Sequence, residues 1–157
     1  MTALTSGAPL PSEILALPLS TTRGDATLAD FAGHSLVLYF YPKDDTPGCT
    51  VEGQDFSALH ADFLAADTQV VGVSRDTLAS HQRFIAKHAL SITLVSDTGE
   101  SLCKACDVIK EKNMYGKKVL GIERSTFLID GKGVVKRIWR GVKVPGHAQE
   151  VLAAARG

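Results

Sequence analysis

Cys49 stands where a dense apolar run meets a helix signal, within Y-F-Y-P-K-D-D-T-P-G-C-T-V-E-G-Q at residues 39–54. With Thr46 as N-cap and Pro47 at the first helical position, Cys49 falls in the first turn. Unpaired backbone N–H groups and the helix dipole favour an anion there. The thiolate is the nucleophilic form of cysteine, and a free thiol with a pKa of about 8.5 is mostly protonated at neutral pH, so such a position raises the reactive fraction. Acidity alone is not sufficient, because intrinsic nucleophilicity falls with the pKa. Attack on an O–O bond also requires donors that hold both oxygens while negative charge passes to the leaving one. The Thr46 hydroxyl, the N–H groups of Gly48 and Cys49, and one arginine are suitable. Glu52 lies one helical turn beyond Cys49, where a bare carboxylate opposes thiolate formation, so an arginine is expected to engage it.

Cys103 and Cys106 spell C-K-A-C, superficially the C-x-x-C of disulfide oxidoreductases. A helix is expected from about Thr98, with Asp97 as N-cap and Glu100 completing a capping box. Both cysteines then lie past its first turn, away from the activating end of the dipole. Leu102, Cys106 and Ile109 share the core-facing stripe of such a helix, so Cys106 reads as packing and Cys103, beside the stripe, as partly exposed. The five histidines, His34, His60, His81, His88 and His147, show no metal-ligand spacing. They read as surface or helix residues, with capping sufficient to explain His147. D-G-K-G at 130–133 reads as a hairpin turn rather than a phosphate loop.

The elements that must position these residues follow from periodicity. Residues 17–33 resemble a small hairpin turning around Arg23 to Asp25. Ser35 to Tyr41 is a strand covered on both faces, ended by Pro42. Phe56, Leu59 and Phe63 mark a helix from about Thr46 to about Ala66. A strand at Gln69 to Ser74, a helix at roughly Leu78 to His88 and a strand at Ile92 to Val95 follow. After the helix carrying the C-K-A-C pair, residues 125–139 form two strands joined across Asp130 to Gly133, and a closing helix covers about His147 to Ala155. The order is that of an α/β, thioredoxin-like fold: a central mixed β-sheet flanked by helices, with an N-terminal hairpin extension. A single domain over residues 1–157 is expected from the length.

Seventeen basic and seventeen acidic side chains give a formal net charge of zero, which argues against nucleic-acid and anionic-membrane partners. No stretch approaches the roughly 18 apolar residues of a membrane span, and the start of the sequence lacks signal-peptide character, so a cytoplasmic protein is expected. Three cysteines are an odd count, too few for a secreted disulfide framework.

P-K-D-D-T-P-G-C resembles the Pro-x-x-x-Thr-x-x-Cys motif of peroxiredoxins, with Pro42, Thr46 and Cys49 in its defining places. The surrounding residues, together with V-V-G-V-S-R-D, M-Y-G-K, R-S-T-F-L-I-D and V-P-G-H, are similar to the bacterioferritin-comigratory-protein (PrxQ) branch over nearly the whole chain. The resemblance implies a thiol peroxidase acting on hydroperoxides, with no cofactor or metal. In it Cys49 is the peroxidatic cysteine, Thr46 bonds the sulfur and the peroxide, Pro42 shields the sulfur, and Arg124 stabilises the thiolate and polarises the peroxide. A thioredoxin-like or low-molecular-weight thiol is the implied reductant, and a monomer is expected. Resolving cysteines of this branch stand five residues after the peroxidatic one or in the helix around Phe84. The first place holds Gln54 and the second has no cysteine, so a one-cysteine cycle is expected. Two alternatives are a thiol-disulfide oxidoreductase using C-K-A-C and a peroxide sensor that passes oxidation to a partner protein.

Overall fold

Apolar runs without polar alternation form strands buried on both faces, and two such runs form the middle of this sheet. The computed structural model describes residues 4–157. A short helix α1 (Ser12–Leu15) precedes the hairpin β1 (Leu19–Thr21) and β2 (Gly24–Ala26), a 3-10 turn at Leu28–Phe31 and β3 (Ser35–Phe40). Next come α2 (Pro47–Ala58), α3 (His60–Ala65), β4 (Thr68–Ser74), α4 (Leu78–His88), β5 (Thr93–Ser96) and α5 (Ser101–Ala105). The chain closes with β6 (Ile109–Met114), β7 (Lys117–Ile122), β8 (Ser125–Ile129), β9 (Val135–Arg140) and α6 (His147–Arg156).

Seven strands form one mixed sheet in the order β2-β1-β5-β4-β3-β8-β9, with β4 parallel to β3 and β5, and β8 antiparallel to β3. Strand alternation divides the core in two. Leu36, Leu38 and Phe40 of β3 face a cluster that includes Val71, Val73, Leu102, Cys103, Cys106 and Phe127. Val37, Tyr39 and Tyr41 face the other cluster, with Cys49, Phe56, Phe63, Phe84 and Val151. Cys49 and the C-K-A-C pair therefore pack on opposite faces of the sheet.

Two sequence expectations change, and one element is added. The helix expected from Thr46 to about Ala66 breaks at Leu59, and the second piece, α3, turns onto β4 and α6. Phe56 and Phe63 nevertheless both stay buried. The helix expected from Thr98 begins at Ser101 and ends at Ala105. Glu100 makes no capping bond and adopts a left-handed φ of 65°, while the Asp97 carboxylate reaches over the loop to accept from the N–H groups of Leu102 (3.2 Å) and Cys103 (2.7 Å). Cys103 is thus in the first turn of α5, Cys106 lies beyond its last residue, and both are fully buried. Ile109 is in a strand, so the proposed helical stripe does not exist. Finally, β6 and β7 form a separate antiparallel hairpin that periodicity does not reveal.

Candidate active site

Parallel β3 and β4 deliver the loop 41–46 to the carboxyl end of the sheet, and α2 starts there. Pro47 is its first residue and Thr46 its extended N-cap (φ −89°, ψ 153°). The buried residues of α2 are Cys49, Glu52, Gly53 and Phe56, the i, i+3, i+4, i+7 face of one helix. An otherwise apolar stripe thus carries a thiol and a carboxyl toward the core. Cys49 is 2 % exposed and Glu52 1 %.

Their counter-charge arrives from the residue just before β8. The antiparallel register sets Phe40 opposite Ser125, so Arg124 lies beside the end of β3, and its carbonyl is fixed by the Val142 N–H at 3.0 Å. The guanidinium then spans both groups: Nη1 donates to Glu52 Oε1 at 2.6 Å and Nη2 to Cys49 Sγ at 3.4 Å. A Cβ on Gly48 would come within 3.3 Å of Nη2, so the glycine lets the guanidinium lie against the first turn. Burial alone would lower the Arg124 pKa, but Glu52 and Cys49 hold it above its ordinary value. The engagement of Glu52 by an arginine, expected from the sequence, is present.

Burial pushes the Glu52 carboxyl up to about 7, against the downward pull of Arg124. Among the described residues its second oxygen, Oε2, has no hydrogen-bond partner, and neither has the Tyr39 hydroxyl. The Tyr39 ring stacks on Phe56 with centroids 4.6 Å apart. Burial, then the charges of Glu52 and Cys49, push its phenol well above the usual range.

The remaining expected site residues sit on the loop. Pro42 follows β3 and is half-buried. Thr46 holds the N-cap position, but its hydroxyl makes no capping bond and donates instead to the Lys43 carbonyl at 2.8 Å. That bond closes the Lys43–Thr46 turn and occupies the hydroxyl proton, so in this state the proton is not directed at the sulfur. Sequence reading missed the polar surroundings of this loop. His81 is wholly buried and bridges Asp44 and the Val95 carbonyl. His147, also buried, contacts the Thr126 hydroxyl through Nε2 at 2.8 Å rather than merely starting a helix. These partners lie far apart in sequence, so no local pattern signals them.

The thiols of C-K-A-C have a different environment. Burial, the Asp97 hydrogen bond and the Asp97 charge push Cys103 far above the ordinary thiol range. Burial pushes Cys106 up to about 12 in spite of Arg140. Neither supplies the exposed low-pKa nucleophile that a disulfide oxidoreductase requires.

Residues 8–138 match the AhpC/TSA family model. This chain belongs to the AhpC/TSA family of peroxiredoxins. It is 58% identical over 148 residues to peroxiredoxin Bcp of Xanthomonas campestris pv. campestris, covering 94% of this chain and 92% of the relative. Peroxiredoxin Bcp of Bacillus subtilis is 48% identical, with 80% of each chain covered. A solved structure of Xanthomonas campestris peroxiredoxin Q superposes with a TM-score of 0.91 at 56% identity, over 96% of both chains. A PrxQ variant from Xylella fastidiosa gives a TM-score of 0.93 at 48% identity, over 98% of this chain and 96% of the other. The peroxiredoxin fold is the thioredoxin-like mixed sheet expected from the element order. As a peroxiredoxin of the Bcp group the chain is a thiol peroxidase, working through a peroxidatic cysteine. No helix among the described residues is long and apolar enough to cross a membrane.

Proposed function

We propose that Cys49 is the peroxidatic cysteine and that Arg124, with Glu52 behind it, organises the reaction. The observation that carries this reading is the single guanidinium that donates to Sγ at 3.4 Å and to Glu52 at 2.6 Å. The Cys49 thiolate attacks the nearer oxygen of the hydroperoxide, an S–O bond forms as the O–O bond breaks, and the departing alkoxide or hydroxide takes up a proton. Arg124 Nη2 and the N–H groups of the first turn of α2 stabilise the negative charge as it moves. Glu52 holds the guanidinium against the helix through the bond from Nη1 to Oε1. Thr46 orients the peroxide after its hydroxyl turns from the Lys43 carbonyl, and Pro42 limits access of water to the sulfur.

The product sulfenic acid is reduced by an external thioredoxin-like or low-molecular-weight thiol, in a one-cysteine cycle. Two features support this: α4 carries no cysteine on the Cys49 side of the sheet, and Cys103 and Cys106 pack on the other side. The Xanthomonas campestris bacterioferritin comigratory protein has alkyl peroxide reduction activity, and we extend organic hydroperoxides, with hydrogen peroxide, to this chain as substrates. We further propose that it acts as a cytoplasmic, single-domain monomer without nucleic-acid or membrane partners. Cys49→Ser is the decisive variant. Peroxide consumption is expected to vanish while the circular dichroism spectrum is kept, because a serine hydroxyl has no populated anion at neutral pH. Retention of most of the activity refutes the assignment.

A further inference from the structure

The loop that leads into α2 is gripped from the side by α4. Asp44 is buried, and its carboxylate oxygens accept from the Tyr41 hydroxyl at 2.6 Å and the Ser80 hydroxyl at 2.7 Å. They also face His81 Nδ1 at 2.7 Å. The other ring nitrogen of His81 lies 2.9 Å from the Val95 carbonyl, which only accepts, so that nitrogen carries a proton. The Asp44 N–H in turn donates to Asp76 Oδ2 at 2.9 Å. One residue on, exposed Asp45 accepts from Lys87 Nζ at 2.7 Å and pairs with His88 Nε2 at 2.8 Å. Two carboxylates immediately before the N-cap of α2 are therefore held at both ends of α4, by Ser80 and His81 and by Lys87 and His88.

The ligand atoms of Asp44, Asp76 and His81 lie within 4.8 Å of one another, as in a metal site. Both Asp44 oxygens and Asp76 Oδ2 already serve protein donors, however: Asp76 Oδ2 also accepts from the Ser74 hydroxyl at 2.5 Å. A satisfied buried network of this kind fixes geometry. Burial raises the Asp44 carboxyl, but hydrogen bonds from His81, Tyr41 and Ser80 outweigh it and hold the group below the usual range.

We propose that this double clamp of Asp44 and Asp45 onto α4 sets how readily the first turn of α2 opens. Asp44 and His81 are then positioning residues for both halves of the peroxidase cycle. The proposal rests on the assignment of Cys49 as peroxidatic. With the clamp closed, Thr46 is fixed as the start of α2 and Cys49 stands against Arg124, the geometry for attack on peroxide. The same geometry leaves Cys49 2 % exposed, too enclosed for a reductant. The external thiol must form an S–S bond to Cys49 while the sulfenic hydroxyl leaves, taking the thiol proton, as water. That step requires the first turn to open, which means releasing or straining the clamp. Loosening the clamp therefore slows oxidation of Cys49 and accelerates reduction of its sulfenic acid. A general loss of packing would slow both steps or leave the reductive one unchanged.

The test uses Asp44→Asn and Asp45→Asn in the full chain. Asparagine tolerates the left-handed φ of 59° at residue 45, so the second variant removes charge without forcing the backbone. Stopped-flow measurement gives the rate of Cys49 oxidation by hydrogen peroxide, and a second mixing step gives the rate at which dithiothreitol reduces the sulfenic acid. For Asp44→Asn we expect oxidation to slow about tenfold, as for loss of one charge-assisted hydrogen bond, and reduction to accelerate. Asp45→Asn should shift the same two rates in the same opposite directions by about twofold, as befits exposed ion pairs. If Asp44→Asn does not fold, Asp45→Asn and Ser80→Ala decide by the sign of the two changes. Opposite signs support the clamp; parallel changes or none overturn it. Failure of the wild-type Cys49 to form a sulfenic acid would instead strike the assignment on which the proposal rests.

Discussion

Cys49 and Cys103 occupy the same place in their helices, the third residue of α2 and the third of α5, and yet only one is placed for chemistry. At Cys49 the nearest charged group is the Arg124 guanidinium, 3.4 Å from the sulfur. At Cys103 it is the Asp97 carboxylate, which takes the cysteine's own N–H at 2.7 Å and raises the thiol pKa further than burial does alone. The dipole contribution of a helix N-terminus, typically below about 1 kcal/mol, is smaller than the effect of one buried neighbouring charge. Position in a helix nominates a cysteine; the charge brought to it by another strand decides its role.

The largest expected effect concerns Glu52, the carboxylate on the active side. Its folded pKa is raised from 4.5 to about 7, so between those values the folded protein binds more protons than the unfolded chain. Its contribution to stability is complete below pH 4.5 and is lost as pH rises through 7, about 3 kcal/mol in all at 1.36 kcal/mol per pKa unit. Glu52→Gln removes this term, so the difference in unfolding free energy between variant and wild type should move in favour of the variant across that window. A difference that stays constant with pH, followed by denaturant titration, argues against a raised Glu52. Next in size is Arg124→Met. Loss of one charge-assisted donor should slow Cys49 oxidation at least about tenfold, or roughly 1.4 kcal/mol, and an unchanged second-order rate removes Arg124 from the site. The smallest effect belongs to the silent side. Asp97→Ala deletes a carboxylate cap and should cost about 1 kcal/mol, a melting shift of a few degrees. The peroxide rate should be unchanged within about twofold, since α5 lies across the sheet. A rate that falls in step with Arg124→Met would erase the contrast between the two faces.

Much of this arrangement was legible in the sequence because it is locally encoded. The β3 run, the α4 pattern at Leu78–His88, the hairpin of β8 and β9 and the Pro47 start of α2 all follow from periodicity and turn residues. The site residues Cys49 and Glu52 share one helix face, and Arg124 opens a recognisable strand. What escaped was set by tertiary contact. The β6 and β7 hairpin has few buried residues and joins no sheet but its own, so it shows no apolar alternation. Its signal was the turn Tyr115-Gly116, with φ of 54° and 80°, the left-handed pair of a tight hairpin. The late start of α5 depends on Asp97 reaching residues 102 and 103 from outside the helix. The Asp44 to His81 pair joins residues 37 apart in sequence, a separation no local pattern reports.

The central claim, that Cys49 alone carries the redox chemistry, is tested most directly by oxidising the reduced protein with one equivalent of hydrogen peroxide in the absence of reductant. A sulfenic-acid probe is present from the start, and every thiol is then mapped by mass spectrometry. The account predicts probe on Cys49 and unmodified thiols at Cys103 and Cys106, whose sulfurs are buried on the far face of the sheet. A disulfide from Cys49 to Cys103 or Cys106 that forms faster than the probe labels Cys49 would contradict it.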